Sequence, residues 1–148
     1  MDYLKRAVEL AKASFDAGQF PAGAVLVTKN GTVYESGPSL AHNHGESMVI
    51  DQAVDDEGLP LVGARLYASM HPCLMCSSKM YWAGVRYVEY VIPKSAVNAS
   101  YAYENDGDVD EVIRTFHEHI EIVQKQELFD EAIDYYNSWV RSIEAPQR

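Results

Sequence analysis

Two cysteines separated by two residues are the part of the sequence best suited to bind a metal ion. Cys73 and Cys76 are the only cysteines of the chain, and Pro72 comes directly before them. At the start of a helix this spacing puts both sulfurs on one face, where they can bind a single ion. The positive end of a helix also stabilises thiolates. The pair therefore indicates metal binding or redox work more strongly than a structural disulfide.

A second segment, AHNHGES at residues 41–47, can supply the remaining ligands. His44 and Glu46 are two positions apart, a spacing that does not put both side chains on one face of a helix. We therefore expect His44 to bind the metal and Glu46 to lie beside it, within reach of a metal-bound water. Three protein ligands and one open position are typical of catalytic zinc. Two alternatives remain: a closed structural zinc site with His42 or His71 as the fourth ligand, and two buried thiols without metal.

The composition is typical of one soluble globular domain over residues 1–148. The net charge is -10, from 22 acidic against 12 basic residues. Since neutralised phosphates supply most of the non-specific affinity for nucleic acid, this charge favours a small, neutral ligand. No apolar run reaches the roughly 20 residues of a membrane span, and the N-terminal segment lacks the core of a signal peptide. We expect no membrane association and a cytoplasmic location.

The order of predicted elements indicates an α/β fold. The spacing of apolar residues predicts helices over residues 3–17, 44–54, 72–84 and 109–118, and a final helix whose apolar face carries Phe129, Ala132, Ile133, Tyr136, Val140 and Ile143. Two short antiparallel strands flank Asn30-Gly31, a dipeptide suited to a hairpin. Further strands cover residues 64–70, 87–93 and 120–123. Because strand, helix and strand follow one another, a right-handed parallel crossover is expected. The prediction is a three-layer α/β/α sandwich with a mixed five-stranded sheet.

The two motifs together resemble those of a known enzyme superfamily. H-x-E followed by P-C-x-x-C is similar to the zinc-dependent cytidine and deoxycytidylate deaminases, with the free-base and nucleoside branch as the nearest part of that superfamily. The segments PAGAVLV, HGE and HPCLMC carry the likeness. It implies a cytidine deaminase-like fold with both zinc helices on one side of the sheet. It also implies that His44, Cys73 and Cys76 hold Zn²⁺, and that Glu46 transfers protons while ammonia is released.

The resemblance extends to the substrate contacts. Relatives that act on bases place an asparagine well before the H-x-E histidine, but here the candidate positions hold Pro38 and Ser39. His71 stands where purine-acting relatives have glutamate and pyrimidine-acting ones have serine. The loop after the fourth strand and the terminal helix supply further candidates. The expected substrate contacts are Asn43, Ser39, His71, Tyr101 and Trp139.

The sequence therefore predicts a zinc-dependent hydrolytic deaminase of a small amino-substituted heterocycle, either a nucleobase of the cytosine or guanine type or a nucleoside. One alternative is a tRNA adenosine deaminase, which the acidic charge disfavours. The other is a non-catalytic, zinc-stabilised binding protein of the same fold. The resemblance also suggests a homodimer formed through the helices beside the zinc site. Trp82 is expected to pack on the second of these helices, and Trp139 to serve as a core anchor or as a pocket lid.

Overall fold

A mixed five-stranded sheet forms the centre of the computed structural model, which describes residues 2–146. The sheet order is β2-β1-β3-β4-β5. β1 pairs antiparallel with β2 and β3, whereas β3, β4 and β5 run parallel. The strands are β1 (Ala24–Val27), β2 (Val33–Glu35), β3 (Arg65–Met70), β4 (Tyr87–Ile92) and β5 (Glu121–Gln124). The predicted mixed sheet, its hairpin and its parallel crossover are confirmed.

Five helices cover the two faces of this sheet. α1 and α5 share one apolar core with the sheet, and α2, α3 and α4 share the other. The helices are α1 (Tyr3–Asp16), α2 (Gly45–Glu57), α3 (Leu74–Ala83), α4 (Val109–Arg114) and α5 (Phe129–Glu144). Between β4 and α4 the chain forms two short 3-10 helices, Lys94–Ala96 and Ala99–Tyr101. The three-layer α/β/α arrangement is confirmed, with α2 and α3 on the same side. In the part of the chain that the structure describes, no helix is both long and apolar enough to cross a membrane.

Three details differ from the sequence prediction. α4 ends at Arg114 rather than at residue 118, since the chain turns at Thr115 and Phe116 before β5. Trp82 lies on α3 itself, where its ring contacts Tyr81 edge-on and 81% of its surface is exposed. Met80 and Ala83 are buried on the inner side of α3, and with 3.6 residues per turn Trp82 points away from that side. On α5, Ala132 and Tyr136 are buried as expected, but Ile143 is 46% exposed because it is the next-to-last residue of the helix.

Gly23 allows β1 to begin directly against α1. A Cβ atom at this position would lie 2.4 Å from the Ala7 carbonyl oxygen and 2.5 Å from the Ala11 backbone nitrogen. Because both are backbone atoms of a packed helix, they cannot move aside as a flexible side chain would. Gly23 also donates its N–H to the Ser69 hydroxyl at 3.0 Å. The position therefore accepts glycine and resists any larger residue.

We expect Gly23→Ala to lower the free energy of unfolding by about 3 kcal/mol, since overpacking forces α1 away from the sheet. Urea unfolding followed by circular dichroism measures this loss. Gly37→Ala is the matched control, because a Cβ there meets nothing within 4 Å. Equal stability losses in the two variants would contradict the close approach of α1 and β1.

Candidate active site

The starts of α2 and α3 bring one imidazole and two thiols together. His44 is the N-cap residue of α2, Cys73 is the N-cap residue of α3, and Cys76 lies in the first turn of α3. The His44 Nδ1 atom is 3.4 Å from the Cys73 Sγ atom and 3.6 Å from the Cys76 Sγ atom. All three ligand atoms lie within 4.8 Å of one another. Because the side chains come from two neighbouring helix starts, the sheet fixes their relative placement.

These distances fit a tetrahedral zinc ion. Bonds of about 2.3 Å to sulfur and about 2.0 Å to nitrogen, at tetrahedral angles, place the sulfur and nitrogen atoms about 3.5 Å apart. The two observed sulfur to nitrogen distances bracket this value. Thiolate and imidazole are also the ligand types that zinc prefers. Among residues 2–146, the group comprises these three side chains alone.

Glu46 lies beside this group, in the first turn of α2. Only 3% of its surface is exposed, and the Cys76 thiol donates to its Oε2 atom at 3.8 Å. Burial raises the pKa of Glu46 to about 7, since removal from water disfavours the charged carboxylate. Gly45 precedes it in close contact with Ser36, where a Cβ atom would lie 3.0 Å from the hydroxyl oxygen. Because Gly45 lets the start of α2 pack against Ser36, the carboxyl group of Glu46 is held near the three ligand atoms.

Interactions within the group give the two cysteine thiols different pKa values. The neighbouring Cys76 thiol, which favours a thiolate at Cys73, is the main reason that the pKa of Cys73 is lowered, to about 5. The nearness of Cys73, together with burial, raises the pKa of Cys76. The bond with Cys73 raises the pKa of His44 above its ordinary value, against the effect of burial. The His44 ring and the Cys73 sulfur therefore form a charge-assisted pair, and metal binding would release the proton between them because metal ligands must be deprotonated.

Neither candidate for a fourth protein ligand belongs to the group. His42 is exposed in the loop before α2. The His71 ring donates from Nδ1 to the Pro72 carbonyl oxygen at 2.8 Å, and its Nε2 atom bonds the Asp110 carboxylate at 2.6 Å. The ring also packs edge-on against Tyr90, with the centroids 4.7 Å apart. His71 thus ties the segment before Cys73 to α4, and the structure gives no support to a closed four-ligand site within residues 2–146.

Two side chains from the loop before α4 stabilise the start of α3. The Tyr103 hydroxyl accepts from the Met75 N–H at 2.7 Å, and the Glu104 carboxylate accepts from the Leu74 N–H at 3.3 Å. These N–H groups have no partner inside the helix, so the loop satisfies them from outside. Sequence reasoning did not identify Glu104, nor Asp110 as the partner of His71. Glu104 lies in a polar loop, and Asp110 lies on the polar side of the predicted fourth helix, so no local pattern indicated which residues these carboxylates contact.

A cavity of about 660 Å³ opens in front of the three ligand side chains and Glu46. Four of the five expected substrate contacts line it: Ser39, His71, Tyr101 and Trp139. Asn43 is not among the described lining residues. Its backbone instead pairs with Leu40 through two hydrogen bonds of 3.1 and 3.2 Å. Further lining residues that the sequence did not indicate include Phe20, Met70, Lys94, Val97, Asn98 and Tyr136.

The fold and the site together define the class of this protein. It has a mixed sheet, and the starts of two helices bring one histidine and two cysteines together, as in the cytidine deaminase-like α/β class. The sequence model described as "Cytidine and deoxycytidylate deaminase zinc-binding region" matches residues 1–92. The chain belongs to this family. The matched region ends with β4 and includes both motifs, so it contains every side chain of the ligand group.

Individual relatives differ in what their names say they act on. The chain is 29% identical over 89 residues to a probable cytosine deaminase of Schizosaccharomyces pombe, covering 57% of this chain and 54% of the relative. It is 35% identical over 95 residues to a tRNA-specific adenosine deaminase of Bacillus subtilis, covering 60% and 58%. The chain thus spans little more than half the length of these relatives. The structure of a guanine deaminase from Nitrosomonas europaea shares the fold, with a TM-score of 0.66 at 17% identity, over 93% of this chain and 82% of that one.

Proposed function

We propose that this protein is a zinc-dependent hydrolytic deaminase acting on a small amino-substituted heterocycle, a nucleobase of the cytosine or guanine type or a nucleoside. The observation that carries the proposal is a buried carboxyl group, Glu46, beside three side chains spaced for zinc, all at the wall of one cavity. A purely structural metal site has no use for that carboxyl group. Family membership supports the same reaction class.

Each part of the site has a task in this reaction. His44, Cys73 and Cys76 would hold the zinc ion. Bound zinc lowers the pKa of a coordinated water to about 7, which makes a nucleophile available at neutral pH. Glu46 would accept the proton of the attacking water, deliver it to the ring nitrogen and then protonate the leaving amine. The exchange is balanced, since one water is consumed, one ammonia is released and a carbonyl replaces the amino group. The cavity walls would orient the ring and keep bulk water away.

A panel of substrates tests the proposal. We expect the zinc-loaded protein to release ammonia from at least one of cytosine, guanine and their nucleosides, because His44, Cys73 and Glu46 line one cavity large enough for these molecules. Coupled detection of ammonia measures turnover, and chelated protein is the control. Release of ammonia from a tRNA alone, with none from the small heterocycles, would contradict the proposal.

The likeness to a tRNA-specific adenosine deaminase supports a second candidate, which is an adenosine within a folded RNA. Two observations favour the small heterocycle. The chain carries a net charge of -10, whereas RNA binding draws on clustered Lys and Arg. Within the described lining of the cavity, Lys94 is the sole lysine or arginine. A tRNA anticodon stem-loop should therefore be included in the panel.

We further propose a cytoplasmic homodimer that pairs around the C-terminal end of α3. Trp82 is 81% exposed there. The Leu61 N–H donates to the Ala83 carbonyl, and this bond holds the preceding loop against α3. Two exposed apolar residues of that loop, Leu59 and Val62, extend the patch. Exposed apolar patches of this kind mark interaction sites.

In analytical ultracentrifugation we expect twice the mass of one chain for the unaltered protein and a single chain for Trp82→Lys. Val112→Lys, on the exposed face of α4, should leave the dimer intact; a monomeric unaltered protein would contradict the proposal.

A further inference from the structure

We infer that the preferred substrate is an amino-heterocycle with an uncharged apolar or aromatic substituent, rather than a free base or a phosphorylated nucleotide. This inference rests on the proposed deaminase function and settles a choice which that function leaves open. Three properties of the cavity carry it: its volume, a wall of aromatic side chains, and a lining in which the described residues offer one lysine, no arginine and two glutamates.

The cavity is larger than a free base requires. Its volume of about 660 Å³ lies in the middle of the range of roughly 300 to 1,000 Å³ typical of sites for drug-sized ligands. At about 30 Å³ per molecule, this volume would hold on the order of 20 waters. A free pyrimidine, with one six-membered ring, would leave most of that space to water. A substituent on the ring would displace the water and gain contact with the walls.

Four aromatic side chains form one side of the cavity, here called the aromatic wall: Phe20, Tyr101, Tyr136 and Trp139. The Trp139 ring centroid lies 4.7 Å from that of Phe20, 5.6 Å from that of Tyr101 and 5.9 Å from that of Tyr136. These separations are typical of favourable aromatic pairs. The wall is assembled from the loop after α1, the second 3-10 helix and α5, so it lies apart from the elements that carry the ligand group.

Two hydrogen bonds hold the rings of the aromatic wall in place. The Asn98 N–H donates to the Tyr136 hydroxyl at 2.8 Å, and the Tyr101 hydroxyl donates to the Glu144 carboxylate at 2.7 Å. With their polar ends bound in this way, both rings present apolar surface to the cavity. A ligand that contacts preorganised rings loses less affinity to the ordering of side chains. The wall is therefore suited to an apolar or aromatic group.

The charges around the cavity do not suit a phosphate. Lys94 is the one lysine or arginine among the described lining residues, and one of the three N–H donors of its ammonium group is bonded to the Asn105 carbonyl. Glu46 and Glu104 contribute carboxyl groups to the lining. A phosphate dianion placed here would meet two carboxyl groups and a single lysine, fewer charge-assisted bonds than phosphate recognition usually draws on. An uncharged substituent has no such cost.

One buried polar atom of a lining residue has no hydrogen-bond partner within residues 2–146. This atom is the hydroxyl oxygen of Ser39, a residue with 1% of its surface exposed. The Ser39 N–H is held by the Ser14 hydroxyl at 2.8 Å, which fixes the backbone. A buried hydroxyl without a partner is costly unless a ligand supplies one. The oxygen has almost no exposed surface, so a bond to an uncharged group of a ligand would require a small movement of the Ser39 side chain.

Kinetics on a graded series test the inference. The series consists of cytosine and guanine, their methyl, propyl and benzyl derivatives at the ring nitrogen that carries the sugar in nucleosides, and the corresponding nucleosides and nucleoside monophosphates. We expect kcat/KM to rise about fourfold for each CH₂ group added, mainly through a lower KM. The benzyl derivative should exceed the free base by at least about tenfold. The monophosphate should fall below its nucleoside by a similar factor.

Two variants locate this preference. Trp139→Leu and Tyr101→Leu should each reduce the ratio of benzyl to free-base kcat/KM by at least about threefold. Tyr87→Leu is the matched control, since this ring packs against Arg65 outside the cavity and should leave the ratio unchanged. A free base or a monophosphate as the best substrate would overturn the inference, as would an unchanged ratio in both wall variants.

Binding measurements separate this inference from the proposed function. Isothermal titration of the same compounds gives their affinities whether or not ammonia is released. Tighter binding of the benzyl derivatives without turnover would contradict the proposed deaminase function and support the preference of the cavity for apolar substituents. Turnover of the free bases with no gain from any substituent would support the deaminase and overturn the preference.

Discussion

Glu46→Gln is expected to release ammonia at least about a hundredfold more slowly than the unaltered protein, with its zinc content unchanged. General acid and base groups contribute factors of about 10² to 10⁴, and glutamine has nearly the same shape without a transferable proton. Because Glu46 is not one of the three grouped ligand side chains, its replacement should leave metal binding intact. Elemental analysis for zinc and an ammonia assay on the same sample measure both properties.

Asp55→Asn is the matched control for this variant, since it removes one negative charge from the exposed side of the same helix. Its turnover should equal that of the unaltered protein. If Glu46→Gln also turns over at the normal rate, Glu46 has no part in proton transfer. If the unaltered protein binds zinc and none of the heterocycles releases ammonia, the alternative of a zinc-stabilised binding protein is supported instead.

Cys76→Ala is expected to abolish zinc binding at stoichiometric metal and, with it, all ammonia release. Changes to residues that merely support a metal ligand weaken binding by about 10- to 100-fold, so the loss of a ligand should exceed a hundredfold. Cys76 is fully buried at the start of α3, where metal binding also contributes to folding. We therefore expect a lower melting temperature as well, measured by differential scanning calorimetry.

Chelation gives an independent test of the same ligand set. Removal of zinc from the unaltered protein should abolish activity, and added zinc should restore it, whereas Cys76→Ala should regain none at the same zinc concentration. Ser78→Ala, a similar truncation on the same helix, should keep one zinc per chain. Normal zinc affinity in Cys76→Ala would exclude Cys76 as a ligand and would require another group at that place.

Much of the fold could be predicted because turns, helix ends and buried helix faces each have a local sequence pattern. Asn30-Gly31 lies in the turn between β1 and β2, and Gly84 ends α3 with a φ of +88°. The spacing of apolar residues placed all five helices, although α4 is shorter than predicted, since the chain turns after Arg114 to enter β5. The exposure of Trp82 was missed because an aromatic residue among apolar neighbours resembles a core residue until the helix orientation is known.

The sequence by itself determined the chemistry of the candidate site. Histidine, glutamate and two cysteines at fixed spacings define which ligand atoms are available and which carboxyl group lies near them, since a helix start holds residues a few positions apart in a known geometry. Only the tertiary structure decided what surrounds this chemistry. The bonds from His71 to Asp110 and from Leu74 to Glu104, and the packing of Trp139 on Phe20, join elements far apart in the chain. Contacts of this kind depend on how the layers pack, and no local spacing encodes them.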